Sequence, residues 1–163
     1  MNNEIMQNKK TLSLSVEEWH ELSLGGADVS VSFFLSGESM RPLIRKSKDK
    51  VTVVPVYRSL KKGDIVLFKR SDGAYVVHRI NKINNSTVVT IGDNCVDFDK
   101  PVSVADIWGI VTAAERSGKI IKTDSAAFRI FGIFIMGTRP IRYFYRKAKK
   151  LGAVVLKRLR GAK

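Results

Sequence analysis

At 163 residues and 44% hydrophobic content, the chain is long enough for one domain with a real core and a short appendage. A single cysteine, Cys95, excludes an internal disulfide, and no His/Cys cluster has zinc-ligand spacing, so an intracellular protein with neither metal nor other cofactor is expected. The net charge of +14 falls almost wholly on residues 116–163, which hold fourteen Lys or Arg and one acid, Asp124.

Residues 1–22, MNNEIMQNKKTLSLSVEEWHEL, carry acids and no continuous apolar stretch, so no signal peptide or membrane anchor is expected there. A helix is predicted over 14–24, LSVEEWHELSL, where Ser15 as N-cap and Glu18 three residues on form a capping box, with its end at Gly25-Gly26. Residues 29–35, VSVSFFL, alternate and are rich in β-branched and aromatic side chains, which predicts a strand running into a Ser-Gly-Glu-Ser turn. Further strands are predicted over 50–55, 64–69, 75–83, 87–91, 107–113 and 119–122, separated by turn signals such as Lys62-Gly63-Asp64 and Ser71-Asp72-Gly73. Pro55 marks a strand end or a sheet edge. The expected fold is therefore mainly β: an antiparallel folded-sheet or barrel-like domain with a short N-terminal helix and a basic C-terminal helical extension.

The character of the chain changes after Asp124. Residues 126–137, AAFRIFGIFIMG, are strongly apolar but too few to span a bilayer, which takes roughly 20 residues, and Arg129 interrupts them. Residues 142–160, RYFYRKAKKLGAVVLKRLR, read as a basic amphipathic helix with a break near Gly152. Arg142, Arg146, Lys147, Lys150, Lys157 and Arg158 are the candidate contacts to an anionic membrane surface or acidic partner, and a solvated basic helix is the plain alternative. No recognised nucleic-acid motif accompanies them, so nucleic acid is not the expected partner. The chain divides into an N-terminal helical segment (1–28), a β domain (29–123) and the basic extension (124–163).

A serine hydroxyl becomes a nucleophile at neutral pH only when a positioned base removes its proton and an acid orients that base. The chain has two histidines. His20 lies on the predicted helix beside Trp19, where packing is the expected role, whereas His78 follows a Val-Val pair on a strand. Ser39, just past a strand end, and the aspartates Asp93, Asp97 and Asp99 supply the other two kinds of group.

Five stretches together carry a resemblance: SGESMRP at 36–42, KKGDIVLF at 61–68, YVVHRI at 75–80, GDNCVDFD at 92–99 and DIWGIV at 106–111. In order and residue type they resemble the boxes of the type I signal peptidases, within the superfamily that includes the self-cleaving SOS repressors. A histidine followed by Arg-Ile resembles the Ser-His branch, found in endoplasmic-reticulum and archaeal-type enzymes, rather than the Ser-Lys branch. The resemblance implies Ser39 as nucleophile, His78 as general base and Asp99 as the acid of the relay, with Asp93 and Asp97 as alternatives and Asp93 otherwise organising the turn. It also implies that Met40 buries beside the nucleophile, that Pro42 fixes the chain leaving it, and that the Ser39 N–H serves as oxyanion donor. Some relatives carry a serine hydroxyl two residues before the nucleophile; here that place is Gly37.

The expected activity is hydrolysis by a serine endopeptidase that cleaves a leader, signal or precursor peptide, its substrate lying extended in the cleft. A membrane signal peptidase carries an apolar anchor before its Ser box, whereas the run before this one, VSVSFFL, is only seven residues long and follows a charged N-terminus. The expected location is thus the cytoplasm, peripheral at the inner face of the membrane. The alternative is a non-catalytic or self-cleaving regulatory module whose basic tail binds membrane or nucleic acid.

Overall fold

The computed structural model describes residues 14–145 and 148. Helix α1 (Val16–Leu24) begins at the predicted capping box, with Glu18 N–H donating to Ser15 Oγ at 3.2 Å and Ser15 N–H to Glu18 Oε2 at 2.8 Å. Trp19 is fully buried and its indole N–H donates to Val29 O at 3.1 Å, which fixes the helix to the chain entering the first strand. His20 stacks on Trp108 with ring centroids 3.8 Å apart, the packing role expected for it.

Among the described residues eight strands follow: β1 (Val31–Phe34), β2 (Asp49–Pro55), β3 (Ile65–Lys69), β4 (Tyr75–Ile83), β5 (Thr87–Ile91), β6 (Val102–Ser103), β7 (Ile107–Arg116) and β8 (Lys119–Lys122). They form one antiparallel sheet in the order β1-β2-β7-β3-β4-β5-β6, with β8 pairing the far end of β7, and the sheet curls into a half-barrel. The curl follows from register irregularities at Thr52/Val53, Leu67/Phe68 and Ile80/Lys82, since an extra residue on one strand bends the pair. Pro55 closes β2, where no further ladder N–H is needed.

The continuous apolar run Ile65–Phe68 is buried on both faces of the sheet. Ile65 and Leu67 join Trp19, Met40, Val77 and Val111 in one core, while Val66 and Phe68 join Val76, Ile80 and Ile110 in a second. Strand alternation thus divides one apolar segment between two cores. Helix α2 (Ala126–Gly137) follows β8, with Ser125 as its N-cap, and a further helical stretch covers 139–145. Among the described residues no helix is long and apolar enough to cross a membrane.

The loop between β1 and β2 carries Ser39 and is tied down at its far end by Asp49. The fully buried Asp49 carboxylate accepts from Arg45 N–H at 2.8 Å and from Arg116 Nη2 at 2.6 Å, and Arg116 also donates to Leu43 O at 2.8 Å. Burial pushes the Asp49 carboxyl up, but the hydrogen bonds from Arg116 and Arg45 outweigh it and hold the group well below the usual carboxylate range. The unfolded chain therefore takes up this proton first as pH falls, so the contribution is complete above about pH 4 and declines at lower pH. Thermal melts between about pH 5 and pH 2 are expected to fall less steeply in Asp49→Asn than in wild type, from a lower starting stability. Parallel curves would remove Asp49 as the source of that acid dependence.

Candidate active site

Ser39 lies in the turn after β1, and His78 lies in the middle of β4 opposite Val66 of β3. The two residues line the same cleft, a cavity of about 390 Å³ whose walls include Phe33, Gly37, Tyr75 and Val77. His78 is 13% exposed and Asp99 15%, so both are shielded yet reachable.

His78 Nδ1 and Asp99 Oδ2 are 2.6 Å apart. Burial pushes the Asp99 carboxyl up, but hydrogen bonds from His78 and Thr90 outweigh it and hold the group below its ordinary range. An ionised carboxylate only accepts, so His78 Nδ1 is the donor in this bond. Thr90, fully buried on β5, donates its hydroxyl to the same Asp99 oxygen at 2.7 Å and fixes the carboxylate from behind. The Asp99 N–H in turn donates to Thr90 O at 2.9 Å. Among the described residues no hydrogen bond joins the Ser39 hydroxyl to His78, and none uses the Ser39 N–H. Nucleophile–base bonds in enzymes without substrate are often long and tighten only in the complex.

The other two aspartates sit differently. Asp97 is exposed, whereas Asp93 is fully buried and receives the Arg79 guanidinium on both oxygens at 2.7 and 2.8 Å. Arg79 also has no exposed surface; its third contact is Gly63 O at 2.8 Å, and Phe128 lies 5.5 Å from it by ring centroid. Alternation along β4 turns His78 and Arg79 to opposite faces. The Arg79–Asp93 pair therefore joins β4, which bears His78, to the turn that supports Ser39.

That turn, Gly92-Asp93-Asn94, touches the Ser39 loop directly. Asn94 N–H donates to Ser39 O at 2.6 Å and Asn94 Nδ2 to Glu38 O at 3.1 Å. A Cβ on Gly92 would stand 2.7 Å from Ser39 O, 2.8 Å from Ser39 Cβ and 2.8 Å from Cys95 Sγ, so only glycine permits this approach. Gly92→Ala is expected to displace Ser39, cutting any Ser39-dependent turnover by about 10²-fold while costing roughly 1–3 kcal/mol of stability. Turnover measured beside a urea melt checks this, and full activity in the variant refutes the support role.

Met40 is fully buried directly after Ser39, and the Arg41–Pro42 peptide that follows is cis. A Cβ at Gly37 would lie 4.0 Å from both the amide nitrogen and the hydroxyl oxygen of Ser39, so position 37 borders both groups. Arg142, read from sequence as a surface contact, turns inward instead. It donates to Asp93 O at 2.6 Å and Ile135 O at 2.8 Å, because the carbonyls at the acid turn and helix end lie within its reach. Arg146, Lys147, Lys150, Lys157 and Arg158 lie outside the described residues.

Sequence reasoning missed Thr90 and the anchoring role of Arg79. The available signals were period-two alternation, which sets 79 on the face of Val77, and a glycine, Gly132, in the middle of an apolar helix. A Cβ there would come within 2.2 Å of the Arg79 guanidinium carbon, so α2 closes directly over Arg79. Among the described residues no group of three or more His, Cys, Asp or Glu is placed to hold a metal. No protein-family model matches the chain, and no curated protein matches it.

Proposed function

We propose that this chain is a serine endopeptidase that cuts a leader or precursor peptide, with Ser39 as nucleophile and His78 as general base. The observation that carries this reading is the His78–Asp99 hydrogen bond in the wall of the cleft that Ser39 lines. In the proposed cycle Ser39 Oγ attacks the scissile carbonyl carbon as its proton passes to His78 Nε2. The Ser39 N–H receives the oxyanion, and the tetrahedral species expels the amine, which takes the proton back from Nε2. Water, deprotonated by His78, then attacks the acyl ester and releases the carboxylate and the Ser39 hydroxyl. Asp99 remains ionised throughout and stabilises the imidazolium formed in each half.

β1 stands at one end of the strand order and runs into the Ser39 turn, so a peptide laid along this cleft in extended form reaches the hydroxyl from the strand side. The test is a peptide mixture incubated with wild type and with Ser39→Ala, cleavage products being identified by mass spectrometry. Cuts present only with wild type are expected; a mixture processed identically by both proteins defeats the proposal.

The lack of a described Ser39–His78 hydrogen bond favours a second reading, a non-catalytic or self-cleaving regulatory module. Intact mass separates its two forms from the first reading. A self-cut removes an N-terminal piece from wild type and not from Ser39→Ala, whereas a non-catalytic module cuts neither itself nor the mixture.

A further inference from the structure

Helix α2 and the helical stretch 139–145 reverse the usual arrangement of a surface helix, in which charge faces water and apolar groups face the core. Their arginines point into the protein. Arg129 donates to Asp124 O at 2.9 Å, Arg139 bonds Val96 O and lies 4.0 Å over the Phe98 ring, and Arg142 reaches Asp93 O. Gly132 and Met136 are buried on the same side. Outward stand Ile130, Phe134, Ile141, Phe144 and Tyr145, each between 65% and 73% exposed, with Phe131 at 51%. Ile130, Phe131 and Phe134 recur at three and four residues along α2, and Ile141, Phe144 and Tyr145 do so along 139–145, so each helix carries an exposed apolar stripe that water alone does not cover.

We infer that these stripes form an interfacial lipid-binding element that seats the protein on an anionic membrane surface, its side chains at the boundary between headgroups and acyl chains. Charge selects this occupant over the others. After Asp124 the sequence holds eleven Lys or Arg and no acid, and Arg129, Arg139 and Arg142 are spent on the protein, which leaves eight cations over 146–163. A second copy carries the same +14, so pairing stripe on stripe brings two cationic tails together. The chain's own tail is equally basic and offers the stripe no acid. Anionic headgroups neutralise those cations while the stripe buries beneath them, with Tyr143 and Tyr145 suited to the polar–apolar boundary. The inference stands apart from the peptidase reading, since it uses neither Ser39 nor His78.

The test is co-sedimentation of the full chain, as the Ser39→Ala protein, with phosphatidylcholine vesicles with and without phosphatidylglycerol. Binding to the phosphatidylglycerol vesicles is expected, weakened by added salt and lowered roughly tenfold or more by Phe131→Ser/Phe134→Ser. Ile141→Ser/Phe144→Ser, on the second helical stretch, is expected to act in the same direction, and both variants are expected to melt as the parent does. The inference is overturned if both variants bind as the parent does, or if phosphatidylcholine alone binds equally well. It is likewise overturned by a vesicle-free dimer that either variant dissociates, which assigns the stripe to a second copy. A marked fall in melting temperature without change in binding assigns it to the chain's own tail and also overturns it.

Discussion

Ser39→Ala and His78→Ala are each expected to lower Ser39-dependent peptide cleavage by about 10⁴-fold or more, with the double variant no worse than either single. Non-additivity is the informative part, because a nucleophile without its base and a base without its nucleophile both leave only binding and oxyanion stabilisation. Asp99→Asn keeps the shape of the carboxylate but replaces an acceptor with an amide, so His78 Nδ1 loses the partner that fixes its tautomer; a loss of up to about 10⁴-fold in turnover is expected. Thr90 holds the same oxygen and remains in place, so the Asp99→Asn protein is expected to melt close to wild type. Asp97→Asn, at an exposed position, provides the contrast and is expected to leave turnover unchanged. Equal cleavage by wild type and Ser39→Ala, or equal losses at Asp97 and Asp99, ends this assignment.

The second large effect concerns folding rather than chemistry. Arg79 and Asp93 are both without exposed surface and meet through two hydrogen bonds, so removing either partner strands the other's charge in the interior. Arg79→Met and Asp93→Ala are each expected to cost about 3–5 kcal/mol in urea unfolding. Arg79→Met/Asp93→Asn removes both charges and is expected to recover part of that loss. Arg79→Lys is expected to fall short of wild type, because an ammonium cannot supply the planar fork that meets two carboxylate oxygens and Gly63 O together. An Arg79→Met protein within about 1 kcal/mol of wild type would show that the pair contributes little net stability. Asp93 variants reduce stability in this scheme, whereas Asp99 variants reduce turnover, so two aspartates six residues apart are separable by experiment.

Much of the fold was legible in the sequence because its signals are local. The Ser15–Glu18 box sets the start of α1, and turn residues bracket β4, β5 and β8 at the predicted limits. The first predicted strand, 29–35, is shorter in the structure, at Val31–Phe34, because Val29 O is taken by the Trp19 indole. The two-residue β6 escaped notice because Val102-Ser103 is too short to show alternation. β7 runs on to Arg116, beyond the predicted 107–113, because β8 pairs with its last four residues. For the site, the family resemblance pointed to Ser39, His78 and Asp99, with Asp93 and Asp97 as alternative acids, and the aspartate that His78 meets is Asp99. Arg79 was harder to read, since an arginine after a strand histidine is ordinarily exposed; alternation sets its face, but its burial depends on Asp93 and Gly132, distant in sequence.

The closeness of Gly132 to Arg79 has a consequence for how this chain can diverge. Any side chain at 132 collides with the guanidinium, and any smaller residue at 79 leaves a hole beneath the helix as well as an orphaned Asp93. Neither position can drift alone without loss, so diverged copies that abandon one are expected to have changed the other, and the two sites form a single heritable unit across 52 intervening positions in the numbering.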